Sequence, residues 1–444
     1  MNMLKRTIAF GMCASMVAGL GVTAFAEEIT IPEETRTITI GTWYDHYYDS
    51  THEDIYANPD VADEETAQIQ FDHLKAIEEK YNVKIEYVNL TWDGVIESIN
   101  TSIMAGQPDC DIYEVDLQFG VPAALNGYAV DLKTVLSEDN DLFNEQKYMF
   151  YTDLNNGQAN VFNAVLKSNL LGGYPLGYNK DMIADAGLED PQELWANGEW
   201  TWDKFLEYCK VLTADNDGDG VTDVYGYGGW WTSMLDGFLL SNGATIASGA
   251  EQTLTSPETG EVLDFINTLY NVEKVARPWN SDDWDINNSC YKDGEICFFI
   301  APAWTITPDE LTFELGVVPF PVGPSGDAET NKGYNATTGN NYLIPAGVED
   351  PAFVYTVFAD YMTWYGDDLE LRDDVEWFEN QMISEENFNM LLSLGEAGGE
   401  FDLWGKLNVS TFDMVGLING EKTPAQVQEE SKQVFQDALD AFFK

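Results

Sequence analysis

Apolar positions in the N-terminal part of the chain switch between the period of a strand and the period of a helix. Residues 37–40 alternate polar and apolar side chains, and 83–88 and 111–115 are further strand patterns. Two amphipathic helices are predicted between these strands. Their apolar stripes consist of Phe71, Leu74, Ile77 and Tyr81, and of Val95, Ile96, Ile99 and Ile103. Alternating strands and helices predict an α/β fold with a parallel sheet and helices on its faces.

A second series of such elements begins near residue 178. It comprises a helix ended by Gly187, helices that begin after Thr201 and Ser256, strands over 297–300 and 315–318, and a final helix over 423–443. We find no internal repeat and no low-complexity linker between the two series. This arrangement predicts two α/β lobes joined by several crossovers, with ligands bound at the carboxyl ends of the strands.

Residues 1–26 have the pattern of a signal peptide. Lys5 and Arg6 precede an apolar run over 7–22, and a small-x-small motif ends at Ala26, after which cleavage is expected. An uncleaved membrane anchor is the alternative, although no stop-transfer pattern follows. A lipid anchor on Cys13 is another alternative, but Met12 occupies the place where lipoprotein processing requires a small residue. We therefore expect an exported protein, extracellular, at the cell surface or periplasmic.

The composition limits the class of ligand. The chain has 77 acidic and 21 basic residues, for a formal net charge of −56, and 13% of its residues are aromatic. Such a charge repels nucleic acids and anionic membrane surfaces and disfavours anionic ligands at long range. The aromatic content is too high for a disordered acidic chain. Neutral and cationic ligands remain.

The cysteines beyond the leader indicate neither a disulfide scaffold nor a metal site. Their positions are Cys110, Cys209, Cys290 and Cys297, with no C-x-x-C pair among them. A bridge between Cys290 and Cys297 depends on a Cα separation that the sequence does not provide. Buried small side chains are the favoured interpretation.

An acidic loop over residues 215–223 (DNDGDGVTD) is similar to a calcium-binding EF-hand loop. Carboxylates stand at its positions 1, 3, 5 and 9, glycine at position 6 and a backbone carbonyl at position 7. The residues concerned are Asp215, Asp217, Asp219, Gly220, Val221 and Asp223. Position 12 is Gly226, where a bidentate glutamate belongs. The alternatives are a structural calcium ion and a solvated acidic turn.

Six segments in register resemble the family 1 extracellular solute-binding proteins of ABC importers, the group that includes maltose-binding protein. They are 82–86 (NVKIE), 105–109 (AGQPD), 173–181 (GYPLGYNKD), 198–205 (GEWTWDKF), 291–304 (YKDGE through APAW) and 316–321 (GVVPFP). An extra acidic and aromatic stretch over 46–63 departs from the family pattern. The absence of a lipobox is a second departure.

The resemblance implies a type II periplasmic-binding-protein fold whose two lobes close on a ligand by a hinge. Three crossovers would lie near Gly173, Pro319 and Trp364. The N-terminal lobe would then comprise 27–173 and 319–363, and the C-terminal lobe 174–318 and 364–444. The partners would be a small-molecule ligand, most simply a sugar, and ABC permease subunits, and the protein would be a monomer. No catalytic cofactor is implied.

A sugar site needs aromatic platforms beside polar side chains, because a sugar has apolar C–H faces and a ring of hydroxyls. Trp304 stands at the family's stacking position, and Trp230 and Trp231 lie in the loop where the family has another aromatic residue. Strand ends and the loop before residues 342–344 supply the remaining candidates, which are Trp43, Tyr44, Asp45, Asp116, Gln118 and Asn340. For each aromatic residue, core packing is the alternative.

Two other functions compete with sugar capture. A cationic ligand such as a polyamine or a basic peptide suits an acidic cleft rich in aromatic residues equally well. A secreted glycoside-acting enzyme would need two catalytic carboxylates, but the sequence contains no G-x-S-x-G, H-E-x-x-H or P-loop motif. We therefore expect a binding protein and no enzyme.

Overall fold

The computed structural model describes most of the chain beyond the leader. The described residues are 29–59, 61, 63–144, 158–162, 174–279, 290–328, 334–335, 341–366, 368, 371, 375–397, 399–400, 409 and 411–442. The leader with Cys13, the cleavage point after Ala26, Gly173 and Asn340 lie outside these residues.

Twelve strands fall within the described residues. In chain order they are β1 Arg36–Thr42, β2 Val83–Asn89, β3 Ile112–Val115, β4 Leu176–Asn179, β5 Tyr225–Gly228, β6 Ala247–Ser248, β7 Glu251–Gln252, β8 Ile296–Ile300, β9 Leu315–Val318, β10 Tyr334–Asn335, β11 Asn341–Leu343 and β12 Gly399–Glu400. Two four-stranded sheets contain eight of them, in the orders β11-β3-β1-β2 and β5-β8-β4-β9. The remaining strands form the small pairs β6-β7 and β10-β12.

The α-helices of the described residues cover and connect these sheets. They are α1 Glu64–Tyr81, α2 Trp92–Thr101, α3 Leu117–Leu125, α4 Asp141–Asn144, α5 Lys180–Asp185, α6 Pro191–Ala196, α7 Trp202–Leu212, α8 Trp231–Ser241, α9 Pro257–Asn267, α10 Pro351–Met362, α11 Val375–Met382, α12 Glu385–Ala397, α13 Met414–Ile418 and α14 Pro424–Phe442. The predicted helix starts are confirmed by their caps. Thr201 accepts the amide of Lys204 at 3.4 Å, and Ser256 accepts the amide of Thr259 at 3.2 Å.

The expectation of parallel sheets is correct for three of the six described strand pairs in the two large sheets and wrong for the three that involve β4 or β11. β1 runs parallel to β2 and β3, and β5 runs parallel to β8. β11 is antiparallel to β3, and β4 is antiparallel to both β8 and β9. The reversed strand of each sheet is the one that the chain enters after building strands of the other sheet. It therefore enters its sheet from the opposite end and runs antiparallel to its neighbours.

Apolar side chains fill both faces of each large sheet. On one face of the first sheet, Ile38 and Ile40 pack with residues of α1 and α10, and on the other face Val115 packs with α2 and α3. The second sheet has Phe298 on one face and Phe299 on the other, and the ring of Phe299 stacks on Tyr291 at 4.0 Å. Within the described residues, no helix is both long enough and apolar enough to cross a membrane.

The four cysteines beyond the leader are buried and unpaired, as predicted. Burial raises the pKa of the thiols of Cys110 and Cys297 to about 12, and that of Cys290 to about 11. A thiol that stays protonated is a poor nucleophile and a poor metal ligand. These cysteines therefore act as small apolar side chains.

Residues 46–59, the edge segment, cover the outer side of β2, which would otherwise be an open sheet edge. The amide of Ser50 donates to the carbonyl of Ile85 at 2.7 Å, and the amide of Ile85 donates to the Ser50 hydroxyl at 2.7 Å. The buried carboxylate of Asp49 accepts the amide of Tyr87 at 2.8 Å. Its other oxygen accepts hydrogen bonds from Thr51 and contacts His52 Nδ1. Pairing the edge in this way removes a template for strand addition by another chain.

Asp49→Ala is expected to lower the free energy of unfolding by about 1–3 kcal/mol, because it leaves buried donors without an acceptor. Urea denaturation followed by circular dichroism measures the loss. Glu53→Ala is the matched control, since Glu53 is an exposed acid of the same segment, and its effect should stay within about 0.5 kcal/mol. Equal effects of the two substitutions would mean that Asp49 does not hold the edge segment.

Candidate ligand-binding site

The direction of the strands places the candidate residues along one border of each sheet, where strands end or begin. We call this border the ligand edge of the sheet. In the first sheet, the carboxyl ends of β1, β2 and β3 share an edge with the amino end of β11. In the second sheet, the carboxyl ends of β5, β8 and β9 share an edge with the amino end of β4. Loops at these edges are the part of an α/β sheet where ligands bind.

Three aromatic rings form a cluster at the edge of the first sheet, which we call the N-terminal platform. Trp43 follows β1, Trp92 begins α2 and Phe119 lies in α3. The ring of Trp92 lies 5.2 Å from the rings of both Trp43 and Phe119, in edge-to-face contacts. Phe119 is 8% exposed, whereas Trp92 retains 38% of its surface. The buried Phe119 and the partly buried Trp43 thus support an indole that retains solvent exposure.

A buried carboxylate fixes the residues beside this platform. The hydroxyl of Tyr44 donates to Glu114 at 3.0 Å, and the hydroxyl of Thr42 donates to its second oxygen at 3.2 Å. Nε2 of His46 lies 3.6 Å from the same carboxylate, and its ring stacks on Tyr87 at 3.8 Å. Burial raises the pKa of the Tyr87 hydroxyl well above its usual value, and the charge of Glu114 adds to this effect. Glu114 is therefore satisfied by hydrogen bonds, although it is fully buried.

The second sheet carries a stacked tryptophan pair, the C-terminal platform. Trp230 directly follows the loop after β5, and Trp304 follows β8 in a short 3-10 turn over Ala303–Thr305. Their rings are nearly parallel, with centroids 5.2 Å apart and an interplanar angle of 11°. Trp230 is 7% exposed and Trp304 is 54% exposed. Trp231 begins α8 and packs partly against the core of the second sheet.

Tyr174 stands just before β4, at the same edge of the second sheet as Trp304. Burial raises the pKa of the Tyr174 hydroxyl, and the charges of Asp116 and Asp236 raise it further. The indole of Trp304 partly offsets this rise in the pKa. Asp116 follows β3 of the first sheet, whereas Tyr174, Trp304 and Asp236 belong to the second. The charge of an acid from the first sheet thus acts on a tyrosine that flanks the second.

The structure brings together several of the residues predicted from the sequence. The ring of Trp230 stacks on that of Trp304, and the ring centroids of Trp43 and Tyr44 are 5.8 Å apart. The charge of Asp116 contributes to the raised pKa of Tyr174. Asp45 is exposed and accepts a hydrogen bond from Asn89 at 2.8 Å. Gln118 lies in α3, but its side chain is outside the description, as is all of Asn340. That these residues contact a ligand stays a prediction.

Five residues at these edges are not among the candidates predicted from the sequence: Trp92, Phe119, Tyr174, His46 and Glu114. The carboxyl-end rule could have selected Trp92, because it follows the predicted strand over 83–88 as Trp43 follows the first strand. The same rule could not have selected Tyr174, because Tyr174 precedes its strand and a parallel sheet is expected to bind ligands at carboxyl ends only. Glu114 lies inside a strand pattern, where nothing distinguishes a hydrogen-bonded acid from a solvated one.

The loop over 215–223 brings three carboxylates together. Oxygens of Asp215, Asp217 and Asp223 lie within 4.8 Å of one another, and all three residues are exposed. The two oxygens of Asp215 accept the amides of Gly218 at 2.7 Å and Gly220 at 2.9 Å. These glycines have φ values of +76° and +90°, which other residues rarely adopt.

Asp219 is outside that group of converging carboxylates. One of its oxygens accepts the amide of Val221 at 2.7 Å. Carboxylates packed this closely repel one another unless a cation lies between them, and oxygen ligands suit Ca²⁺. Three convergent carboxylates thus fit part of a calcium shell, and backbone carbonyls and water would have to complete it.

The chain matches one protein family and is similar to several solved structures. The bacterial extracellular solute-binding protein family matches residues 62–363. An ABC substrate-binding protein from Listeria monocytogenes, solved with cycloalternan, is similar over 92% of this chain and all of its own, at 16% identity and a TM-score of 0.60. The GacH receptor of Streptomyces glaucescens, solved with acarbose, is similar over 92% of this chain and 99% of its own, at 15% identity and a TM-score of 0.59.

A maltose/maltodextrin-binding domain from Bdellovibrio bacteriovorus, bound to maltotriose, covers 90% of this chain and 98% of its own, at 15% identity and a TM-score of 0.56. A search of curated proteins returned no match. These similarities confirm the two-lobed type II periplasmic-binding-protein fold, although each of these three structures is only 15–16% identical to this chain.

Glu114→Ala is expected to lower the free energy of unfolding by about 1–3 kcal/mol, because the hydroxyls of Thr42 and Tyr44 lose their buried acceptor. Denaturant titration measures this loss in the free energy of unfolding. Glu97→Ala, which changes an exposed acid on α2, is the control and should be nearly neutral. A neutral result for Glu114→Ala would show that the carboxylate does not order this edge.

Proposed function

The chain belongs to the bacterial extracellular solute-binding proteins, and from that membership we propose that it captures a carbohydrate for an ABC importer. Its role would be to close two lobes on the sugar and to deliver it to the membrane permease. The protein would act as a monomer, without catalysis, after export and removal of residues 1–26. The cycloalternan, acarbose and maltotriose complexes of similar proteins support this ligand class.

The C-terminal platform is the observation that carries the proposal. Trp304 exposes half of its surface at the ligand edge, while the buried Trp230 holds it from behind at 5.2 Å. An indole face held in this way suits the C–H face of a pyranose. Tyr174, Asp116 and Asp236 around it supply the donors and acceptors that sugar hydroxyls require.

Closure follows from the way in which the two edges share this site. Asp116 comes from the first sheet, while Trp304 and Tyr174 come from the second. A ligand that contacts both edges is bound more tightly in the closed form than in the open form. This difference in affinity drives the hinge closure.

We also propose that the loop over 215–223 binds a structural Ca²⁺. The convergence of the carboxylates of Asp215, Asp217 and Asp223 supports this assignment. Asp219 and the carbonyl of Val221 are further candidate ligands. When bound, the ion neutralises the mutual repulsion of the carboxylates, and the loop, which connects α7 to β5, is held in one conformation.

Calorimetric titration with a panel of mono- and oligosaccharides is expected to identify a sugar that binds. Trp304→Ala should then weaken its binding at least tenfold, about 1.4 kcal/mol, while Trp304→Phe, which retains a ring, should lose less. Affinity for a sugar should change little with salt. Tight binding of a polyamine that weakens steeply with ionic strength would replace the sugar proposal, and release of glycan products would indicate an enzyme.

Calcium at about 100 times its dissociation constant is expected to stabilise the protein by about 2.7 kcal/mol, and EDTA should reverse the rise in Tm. Asp215→Asn and Asp217→Asn should abolish this response, because each removes a ligand charge. Asp185→Asn, at an exposed acid at the end of α5, should retain it. A Tm that neither Ca²⁺ nor EDTA changes would exclude the site.

A further inference from the structure

His46 begins the edge segment at the ligand edge of the first sheet and lies against two tyrosine rings. Its imidazole stacks on Tyr87 with ring centroids 3.8 Å apart and an interplanar angle of 11°. The ring of Tyr44 lies 4.4 Å from the imidazole, at an angle of 34°. Only 22% of the His46 side chain is exposed. Because the face of a tyrosine ring attracts a cation, these contacts favour the protonated form of the imidazole.

The imidazole also faces a buried negative charge. Nε2 of His46 lies 3.6 Å from Oε2 of Glu114, whose side chain is fully buried. Among the described residues, Nε2 has no partner at hydrogen-bond distance, and no lysine or arginine forms an ion pair with Glu114. An imidazolium carries a proton on both ring nitrogens, whereas a neutral ring carries a proton on only one. Protonation of His46 therefore supplies the donor and the charge for a short hydrogen bond to the carboxylate.

The same carboxylate holds Tyr44, which is a predicted ligand contact and is 38% exposed. The hydroxyl of Tyr44 donates to Oε1 of Glu114 at 3.0 Å, and the hydroxyl of Thr42 donates to Oε2 at 3.2 Å. Tyr44 thus touches both members of the pair, Glu114 through its hydroxyl and His46 through its ring. A change in the charge of His46 reaches Tyr44 by both routes.

Other titratable groups surround this cluster from the neighbouring elements. Among the described residues they are Asp45 beside His46, Asp49 of the edge segment, Tyr87 of β2, Tyr342 of β11 and Tyr361 of α10. Burial raises the pKa of the hydroxyls of Tyr87 and Tyr361, so neither ionises near neutral pH. Asp49 accepts the amide of Tyr87, and Asp45 accepts the side chain of Asn89. Histidine is the side chain whose charge ordinarily changes between about pH 5 and pH 8.

We propose that His46 is a positioning residue of the site, which holds Tyr44 in place for the ligand when it is protonated and paired with Glu114. When His46 is neutral, the pair loosens and Tyr44 leaves this position in part of the molecules. A ligand that requires Tyr44 in place then binds with an affinity reduced by that fraction. Capture therefore tightens on acidification, although a neutral sugar does not itself titrate in this range. This inference rests on the proposed capture of a carbohydrate.

The first test is the pH profile of affinity, measured by calorimetry with maltotriose or with the member of the saccharide panel that binds in its place. The wild type should bind at least about threefold more tightly at about pH 5.5 than at about pH 8. His46→Gln retains a donor for Glu114 but does not titrate, so its affinity should be the same at both pH values. Glu114→Gln retains an acceptor for the hydroxyls but has no charge to attract the imidazolium, and it should flatten the profile likewise.

The other histidines provide matched controls, because the chain has three. His73 lies on α1, where its Nε2 contacts the carbonyl of Asp360 at 2.8 Å, and His52 contacts Asp49. Neither has a contact with Tyr44 or Glu114 among the described residues. His73→Gln and His52→Gln should therefore keep the wild-type dependence of affinity on pH.

The second test needs no ligand. A histidine that gains an anionic partner on folding stabilises the protein at low pH, and this stabilisation is lost as the pH rises. The Tm of the wild type should therefore exceed that of His46→Gln by more at about pH 5.5 than at about pH 8. The same unfolding curves verify that each variant is folded.

The outcomes separate this inference from the proposed function. If a sugar binds with the same affinity at both pH values, or if His46→Gln keeps the pH dependence, carbohydrate capture stands and the role of His46 is refuted. If no carbohydrate binds at any pH, the proposed function fails, and the Tm comparison alone decides whether His46 pairs with Glu114. An equal difference in Tm at both pH values would refute the pair.

Discussion

The direction of two strands determines where this protein places its site. Each large sheet contains one strand that runs against the others, β11 in the first and β4 in the second. The chain enters these strands from the other sheet, so their amino ends lie beside the carboxyl ends of their neighbours. Residues before a strand and residues after a strand thereby meet at one edge. Tyr174, just before β4, and Trp304, just after β8, lie at the same edge because of this reversal.

Two buried acids, Asp49 and Glu114, stabilise the first sheet and its loops through hydrogen bonds rather than through ion pairs with lysine or arginine. Asp49 accepts hydrogen bonds from the backbone of β2 and from Thr51, and Glu114 accepts hydrogen bonds from two hydroxyls. The two acids have different structural roles. Asp49 closes a sheet edge with a segment that departs from the family pattern, whereas Glu114 orients Tyr44 beside the N-terminal platform. A carboxylate that is supplied with donors is stable when buried, and one that has lost them is not.

Sequence patterns predicted the fold well because its elements have clear periods and caps. β9 has the predicted bounds, α7 begins directly after Thr201 as predicted, and α14 differs from its predicted range by one residue at each end. For the candidate site, Trp43 follows a well-patterned strand, so the rule of carboxyl ends selects it, whereas Trp304 is selected through the family resemblance. Tyr174 depends on a strand reversal, and the contact between Tyr44 and Glu114 joins residues 70 positions apart. Neither local pattern nor composition contains that information.

The acidic character of the chain and the aromatic character of its site are consistent with each other. A formal net charge of −56 disfavours anions at a distance, but screening at physiological salt limits that field to roughly 8 Å. A neutral ligand gains nothing from such a field, so its affinity must come from contact. Contact energy is largest where a rigid apolar face is already exposed and supported, which is why the proposed site centres on Trp304 above the buried Trp230. Polar groups beside such a face would select among neutral molecules by the arrangement of their hydroxyls, because any donor or acceptor left unpaired on closure reduces affinity.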